Sequence, residues 1–471
     1  MKRELRWHEY ITININWFNL TTRSQVLTPL IIPLLVQQFV GEANKGSYTG
    51  MIRLWALMAA LLIQALMGIL SDRNTSKFGR RRPFIFVGVV FEVIVIILIG
   101  LSAQLEGMSG YWILFGLYIL SMVGANISHA ATQGLIPDIV SSEKKGLASG
   151  IKTLLELPLP LVFASFVVAG MIEQGNLWGA IFALITVMLV AMGLTMLVKE
   201  EPLSETPPPT NWTPFFRLLA MTGAFTAIIL GSGWAVNQVI RSFGELTGTT
   251  QLLVSGITGL LGMGVAVFVG VLLSTAISLG DDRKNQKPFV WWVINRLAFL
   301  VGATNFAGFM VFFLQEKFPE YRDGFEVAGP AARITMFIGI FILLSAIPSG
   351  WLADKIGKKP LIVLAGLLAG VGAAIIVLAP DMTLTFVGAS IAGAGVGFFY
   401  SANWALGTEI VPADRAGEFL GLSNLAGAGA GAVGAYIGGP IGDSSGYVLL
   451  MSIYGAMALF SIIAVLGIKM E

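Results

Sequence analysis

Gly68-Ile69-Leu70-Ser71-Asp72-Arg73, followed by Gly79-Arg80-Arg81-Arg82-Pro83, and Gly350-Trp351-Leu352-Ala353-Asp354-Lys355-Ile356-Gly357-Lys358-Lys359-Pro360 are two versions of one pattern. Each closes an apolar run, crosses a short basic loop and opens another apolar run. A second pair repeats in the same order: Pro137-Asp138-Ile139-Val140-Ser141-Ser142-Glu143-Lys144-Lys145-Gly146 and Thr408-Glu409-Ile410-Val411-Pro412-Ala413-Asp414-Arg415-Ala416-Gly417. Two echoes in one order mark an internal duplication, the organisation expected of a transporter made of two similar halves.

The runs between these loops decide the solvent. Of the 471 residues, 55% are hydrophobic and only 12% charged, about half the charged share of a soluble domain. The apolar runs reach twenty residues or more, enough to cross a hydrocarbon layer of about 30 Å as helices. Net charge is +2, so no basic field points to nucleic acid. The chain has no cysteine and only His8 and His129 as histidines. Thiolate chemistry is therefore excluded, no metal-ligand spacing occurs and no cofactor is expected, so the residues argue against an enzyme.

Reading spans between charged or Pro/Gly breaks gives about 12–39, 50–71, 84–104, 111–136, 147–171 and 177–198 in the first half. Pro202 and Pro207-Pro208-Pro209 make the following segment a loop. Two further spans lie at about 215–240 and 251–279, then six at about 289–315, 332–353, 360–379, 383–407, 414–439 and 446–468. The expectation is an all-α polytopic membrane protein of fourteen spans: a first six-helix bundle over 1–199, a central loop with two extra helices over 200–287, and a second bundle over 288–471. Most of the 29 Lys and Arg residues fall at one face if both termini are cytoplasmic. That asymmetry is the positive-inside pattern. The N-terminus runs into the first span without a small-residue cleavage site, so an uncleaved first helix is expected.

Gly-x-x-x-Asp-Arg with Gly-Arg-Arg-Arg, present at both expected loops, resembles the loop signature of the major facilitator superfamily. The longer string Ser71 to Ile85 is similar to the loop of the sucrose/proton symporters and their glycoside-pentoside-hexuronide relatives. The resemblance implies two six-helix bundles working by alternating access, and a loop that latches the cytoplasmic side. That role carries to Gly68, Asp72, Arg73, Gly79, Arg80 and Arg81, with Asp354 and Glu409 in the second copy. A carboxylate there can dock on a helix N-terminus while arginines pair with acids. Lys77 and Arg82 are expected to set topology. Asp138 matches the acidic residue after span four in sucrose-type symporters, but Gln133-Gly134-Leu135-Ile136-Pro137 replaces their Arg-containing stretch, so a gate contact stands beside a proton-linked role.

Ionisable groups inside spans are costly and are functional candidates. Arg23, Glu92, His129 and Glu156 fall roughly 12–16 Å from the cytoplasmic ends of their spans, which reads as a single layer. The resemblance implies that core spans one, four, seven and ten line the cavity, placing Arg23 and His129 there with Asn295, Arg296, Tyr400, Asn403 and Trp404. The internal alignment pairs His129 with Tyr400, Thr132 with Asn403 and Gln133 with Trp404. Amides, hydroxyls and aromatic faces suit a neutral polyhydroxylated ligand. Glu92, His129 and Glu156 are candidates to carry a coupling proton. Glu156 is alternatively a structural partner of Lys152, one turn earlier, Glu92 a structural partner of a neighbouring helix, and Arg23 either a substrate contact or the holder of a carboxylate.

Gly427/Gly431 and Gly434/Gly438 are expected to let helices approach closely, and Pro158, Pro160 and Pro348 to bend their spans. The extra pair is expected to flank the bundle and join its halves. A proton/peptide symporter carries such a pair, but span one has Trp17-Phe18-Asn19-Leu20-Thr21-Thr22-Arg23 in place of that family's Arg-Phe-Tyr-Tyr string. The expected function is secondary active transport, a proton-coupled symport of a sugar or glycoside, by a monomer in the plasma (inner) membrane of a bacterium, with the lipid bilayer as its other partner. Efflux of an amphipathic solute or lipid, and a non-transporting sensor, are the alternatives.

Overall fold

The computed structural model describes residues 5–200, 202–203, 210–243, 247–280, 286–322, 324–411 and 416–468. Among them every regular element is helical. α1 (Trp7–Val26) and α2 (Ile32–Val40) form one long rod joined by a π turn, Leu27–Ile31. Pro29 and Pro33 withhold backbone N–H groups on that rod, and a wider turn absorbs the missing bonds. The rod is followed by α3 (Lys45–Asp72), α4 (Arg82–Ser102) and α5 (Gly107–Ile139). The fifth span is broken: α6 (Lys145–Glu156), α7 (Pro158–Phe163), a π turn Ala164–Val168 and α8 (Ala169–Glu173). Pro158 and Pro160 thus mark a real interruption, whereas Pro348 lies inside an unbroken helix. The remaining helices are α9 (Leu177–Thr195), α10 (Thr213–Ser242), α11 (Gly248–Leu279), α12 (Lys287–Gly308), α13 (Met310–Lys317), α14 (Ala328–Ile356), α15 (Lys358–Leu378), α16 (Met382–Ile410), α17 (Ala416–Ser445) and α18 (Tyr447–Leu466).

Twelve helices among the described residues are long and apolar enough to cross a membrane. The two other expected spans are the π-interrupted rod α1–α2 and α17, whose entry, 412–415, lies outside the described residues. Asp414 and Arg415, quoted above in the second echo, lie outside them as well.

The chain forms two compact units. Unit 1 comprises Met1–Phe39, Ala59–Phe215 and Gly324–Ala332; unit 2 comprises Val40–Met58, Phe216–Asp323 and Arg333–Glu471. The division departs from the expected boundaries in two ways. The extra helices α10 and α11 belong to unit 2, where Gly233 lies against Tyr436 and Gly259 against Ile441 and Ile453. The first turns of α3 belong to unit 2, and the first turn of α14, its counterpart in the duplication, belongs to unit 1.

Small residues set the closest helix contacts within each unit, because lipid offers no hydrophobic drive for helix association and backbone proximity must supply it. In unit 1, Gly88 of α4 faces Gly124 and Ser128 of α5. In unit 2 the duplicated pair α15 and α16 repeats this, with Gly372 against Gly388 and Ala392, and Gly395 against Ala365 and Ala369. On α17, Gly434 admits Asn305, Gly438 admits the Tyr454 hydroxyl, and Gly439 meets the Gly46 carbonyl of α3. Gly427 has open space where a Cβ would stand and makes no such contact.

Candidate transport site and gates

Unit 1 buries an ion pair at mid-span. Arg23 sits on the turn before the π segment, and its Nε donates to Glu92 Oε1 at 2.5 Å, its Nη2 to Ser121 Oγ at 2.6 Å. Ser121 in turn donates to Glu92 Oε1 at 3.2 Å. The arginine is 4% exposed and the glutamate 1%. Two charges removed from water in this way hold each other in place, and protonation of Glu92 leaves Arg23 uncompensated. Arg23 therefore holds a carboxylate here, the second of its two expected roles.

His129 and Glu156 do not join that pair. His129 contacts the Trp17 ring edge-on, 5.3 Å between centroids, and lies 3.2 Å from Gln133. Lys152 places its ammonium 3.9 Å from the Trp17 ring centre and reaches Glu156 at 2.5 Å. Trp17 precedes Arg23 by six residues, about 9 Å of helix rise. The single layer expected from depth is thus two layers, Arg23–Glu92 and Trp17–His129–Lys152–Glu156. Counting from span edges missed this because α1 starts five residues before the predicted edge.

Within unit 2 the duplicated helices carry a matching but chemically different cluster. In unit 1, Asn16 Nδ2 donates to Ser128 at 2.9 Å and to Thr132 at 2.7 Å. In unit 2, Asn403 Nδ2 donates to Asn295 Oδ1 at 3.0 Å, and Asn295 donates to the Ser461 carbonyl at 2.9 Å. Since Thr132 and Asn403 are equivalent, Asn16 corresponds to Asn295 and Trp17 to Arg296. Arg296 Nη1 donates to Asn403 Oδ1 at 3.0 Å, and its guanidinium lies 5.8 Å from each of the Trp292 and Trp404 rings. Trp404 and Tyr400 are 46% and 40% exposed. Asn295, Arg296, Tyr400, Asn403 and Trp404 therefore form one constellation.

The two basic loops differ. In the first, Gly79 turns with φ +105°, which a side chain would resist. Arg81 reaches Asp72 at 2.5 Å and Asp138 at 2.8 Å, and donates to Ser71 Oγ at 2.6 Å. Arg80 binds the same two acids, at 3.0 and 3.5 Å. Asp138 thus pairs with both arginines of the loop. Burial lowers the Arg81 pKa, but hydrogen bonds and charge from Asp138 and then Asp72 outweigh it and raise it overall. Gly134 leaves the room that the Arg81 guanidinium fills. The carboxylate docked on the α4 N-terminus is Glu200, not the expected Asp72: it accepts from Arg81 N–H at 3.0 Å and Arg82 N–H at 2.9 Å. Burial nonetheless raises its pKa against those two N–H groups. Arg73 is half-buried beside this cluster in sequence, and Gly68 supplies only a carbonyl, to Ser71 Oγ at 3.2 Å. In the second loop Lys358 pairs with Glu409, while Asp354 is exposed and forms no ion pair among the described residues.

The model of the Major Facilitator Superfamily matches residues 18–320 and 297–470. The chain belongs to this superfamily. It is similar to a sucrose transport protein of Arabidopsis thaliana (SUC3), 37% identical over 93 residues, which are 20% of this chain and 14% of that protein. It is similar also to a sucrose transport protein of Oryza sativa subsp. japonica (SUT1), 32% identical over 110 residues, 20% of each chain. The matched segments therefore span a fifth or less of those relatives' own length. The fold is similar to that of a POT family transporter in complex with 5-aminolevulinic acid, with TM-score 0.66 and 14% identity over 97% of this chain and 94% of that one. It is similar likewise to the nucleoside transporter NupG, with TM-score 0.67 and 12% identity over 98% and 99%. The facilitator is accordingly a multi-pass membrane protein of that superfamily.

At the opposite end of its helices the facilitator carries a further contact within unit 2 that the sequence reading overlooked. Asp443 of α17 accepts from the first turn of α3: Gly46 N–H and Ser47 N–H at 2.7 Å each, and Ser47 Oγ at 2.6 Å. The Tyr447 hydroxyl adds a fourth bond at 2.8 Å. Beside it, Lys45 reaches Gln315 at 3.0 Å and lies over the Phe312 ring at 4.8 Å. The only hint in the sequence was an acid at the end of a glycine-rich span.

Proposed function

We propose that this facilitator is a secondary active transporter that moves a sugar or glycoside by alternating access, with a proton as the coupling ion. The observation that carries the reading is the buried Arg23–Glu92–Ser121 cluster. A carboxylate 1% exposed inside a span, balanced by a single arginine, changes its partner when it takes a proton, and the helix carrying that partner contains a π turn able to adjust. Glu92 is then the proton carrier, His129 and Gln133 line the substrate path, and Glu156 steers Lys152 over Trp17. Substrate class is supported by the sucrose transport proteins to which about a fifth of the chain is similar. It is supported also by the amide, hydroxyl and indole of Asn403, Tyr400 and Trp404. The Arg80–Arg81–Asp72–Asp138 cluster and the Asp443–α3 cap are contacts that alternate during the cycle. The basic loops support a cytoplasmic face on their side, and the reading takes both termini as cytoplasmic, the membrane as a bacterial plasma membrane and a monomer as the working form.

Uptake of a radiolabelled sugar and glycoside panel into proteoliposomes, with and without an inward proton gradient, tests this. Accumulation that needs the gradient, and Glu92→Gln that exchanges substrate but no longer accumulates it, is the expected result. Uptake of no panel member under either condition sinks the reading.

A further inference from the structure

We infer that the substrate carries a carboxylate, and that Arg296 is the residue that binds it, with Trp404 beside it as the face for the sugar ring. The inference deepens the sugar-transport reading and departs from the neutral ligand that the residue types alone suggested.

Arg296 stands nine residues along α12 from Lys287, about 13 Å of helix rise. A cation at such depth is costly unless it is balanced. Two other mid-span cations are balanced in this way: Arg23 holds Glu92, and Lys152 holds Glu156. Arg296 has no carboxylate among the described residues. Its one hydrogen bond there is to the Asn403 amide oxygen, and its Nε has no partner. The counter-charge this cation needs is supplied by the cargo.

The arginine is also held ready. Asn403 keeps its oxygen aimed at Arg296 because its own Nδ2 is committed to Asn295 Oδ1, and Asn295 is anchored on the Ser461 carbonyl. Trp292 is fixed by its own bond to the Asn403 carbonyl at 2.9 Å and lies on the guanidinium. A guanidinium locked by an amide and two indoles loses little freedom on binding, and its planar donors match the two oxygens of a carboxylate. Trp404 and Tyr400, exposed aromatics one turn apart on α16, offer the flat surface against which a sugar C–H face stacks. The equivalent position in unit 1 is Trp17, so this cation belongs to one half only. One carboxylate entering with one proton makes transport electroneutral.

Binding to the purified full-length protein in detergent, by titration calorimetry with D-glucuronate and D-glucose, isolates the carboxylate, since the two differ only at C6. Wild type is expected to bind glucuronate at least about tenfold more tightly than glucose. Arg296→Gln erases that ratio, Arg296→Lys restores part of it, and Trp404→Ala weakens both ligands alike. Asn403→Asp keeps the arginine but gives it an internal carboxylate, so it too should remove the preference, and it serves if Arg296→Gln does not fold. In proteoliposomes, gradient-driven glucuronate uptake is expected to be indifferent to a potassium/valinomycin potential. Equal binding of the two sugars, or an Arg296→Gln ratio unchanged from wild type, overturns the inference while leaving sugar transport standing. Arg296-dependent binding of D-lactate with neither sugar bound would keep the carboxylate site and remove the sugar. Binding of no carboxylate overturns the inference as well.

Discussion

Arg23 and Arg296 are both arginines within spans of one duplicated unit, yet among the described residues the first is paired with a carboxylate and the second is not. Arg23 is bonded to Glu92 and Ser121 and nearly sealed from solvent. Arg296 is half-buried, bonded to an amide oxygen and flanked by indoles. The same asymmetry recurs at the basic loops, where Arg81 ties two carboxylates in the first copy and Asp354 stands without an ion pair, among the described residues, in the second. Duplication supplied a common frame of helices and close glycine contacts, and divergence then gave each half a separate electrostatic task. A balanced cluster stores a state that a proton can change. An unbalanced cation waits for an anion.

The comparison breaks most decisively at the two arginines themselves. Arg23→Ala leaves the Glu92 carboxylate buried and unpaired, a loss of about 3–5 kcal/mol for a fully ionised partner. It should lower the thermal midpoint of the detergent-solubilised protein by several degrees and abolish proton-driven accumulation. Arg296→Ala removes a cation that has no carboxylate partner among the described residues and should leave the midpoint unchanged or higher. The double variant Arg23→Gln/Glu92→Gln, which replaces the ion pair by amides, should recover much of the loss of Arg23→Ala without restoring coupling. Equal destabilisation by Arg23→Ala and Arg296→Ala would mean that Arg296 is balanced after all.

A somewhat smaller effect is expected at Asp443. Three of its four hydrogen bonds join α17 to the α3 N-terminus, where a negative charge is favoured by the unpaired N–H groups of the first turn, and the fourth comes from the Tyr447 hydroxyl of α18. Asp443→Asn keeps one acceptor oxygen and loses the charge, a change of about 2–3 kcal/mol on the scale of charged hydrogen bonds. Because the native chain has no cysteine, a single cysteine at the buried Thr49 reports whether this end has opened. Its labelling by a water-soluble maleimide should rise in Asp443→Asn, and unchanged labelling would deny the cap any role in gating.

The spans and basic loops were legible because a charge or proline interrupting an apolar run is a one-dimensional signal. The duplication was legible for the same reason, since Asp72 and Asp354 occupy the same place in two strings. What stayed hidden depends on rotation about a helix axis and on distance along the chain. Nothing local tells that Glu92 faces Arg23, 69 residues away, whereas the Glu156–Lys152 pair, one turn apart, was open to a reading of the sequence. Asp443 and Gly46 lie 397 residues apart, and Glu200 looked like ordinary loop. One further signal was available: extending the alignment of Thr132 with Asn403 back to spans one and seven sets Trp17 opposite Arg296, and so exposes a charge that only one half carries. The extra pair α10–α11 was legible as two spans, but its membership in unit 2 goes with Gly233 and Gly259 meeting α17 and α18, contacts that a span count does not show.

The smallest expected effect lies in the two loops, and it sharpens the contrast between the halves. Arg81 is 5% exposed and gathers Asp72, Asp138 and Ser71, so Arg81→Ala strips several charge-assisted bonds at once, and about 1–2 kcal/mol is expected after allowing for the solvent that reaches both acids. Lys358 and Glu409 form a more open pair, 21% and 47% exposed at the side chain, whose removal by Glu409→Gln should cost under about 1 kcal/mol and less still at high salt. Thermal midpoints of both variants at low and at 1 M salt separate the two cases. If the first loop is a cooperative latch, Arg81→Ala remains destabilising in salt and shifts the labelling of the Thr49→Cys reporter at the far end. If Glu409→Gln matches it in size and salt response, the two loops are electrostatically equivalent and the asymmetry between halves is confined to the spans.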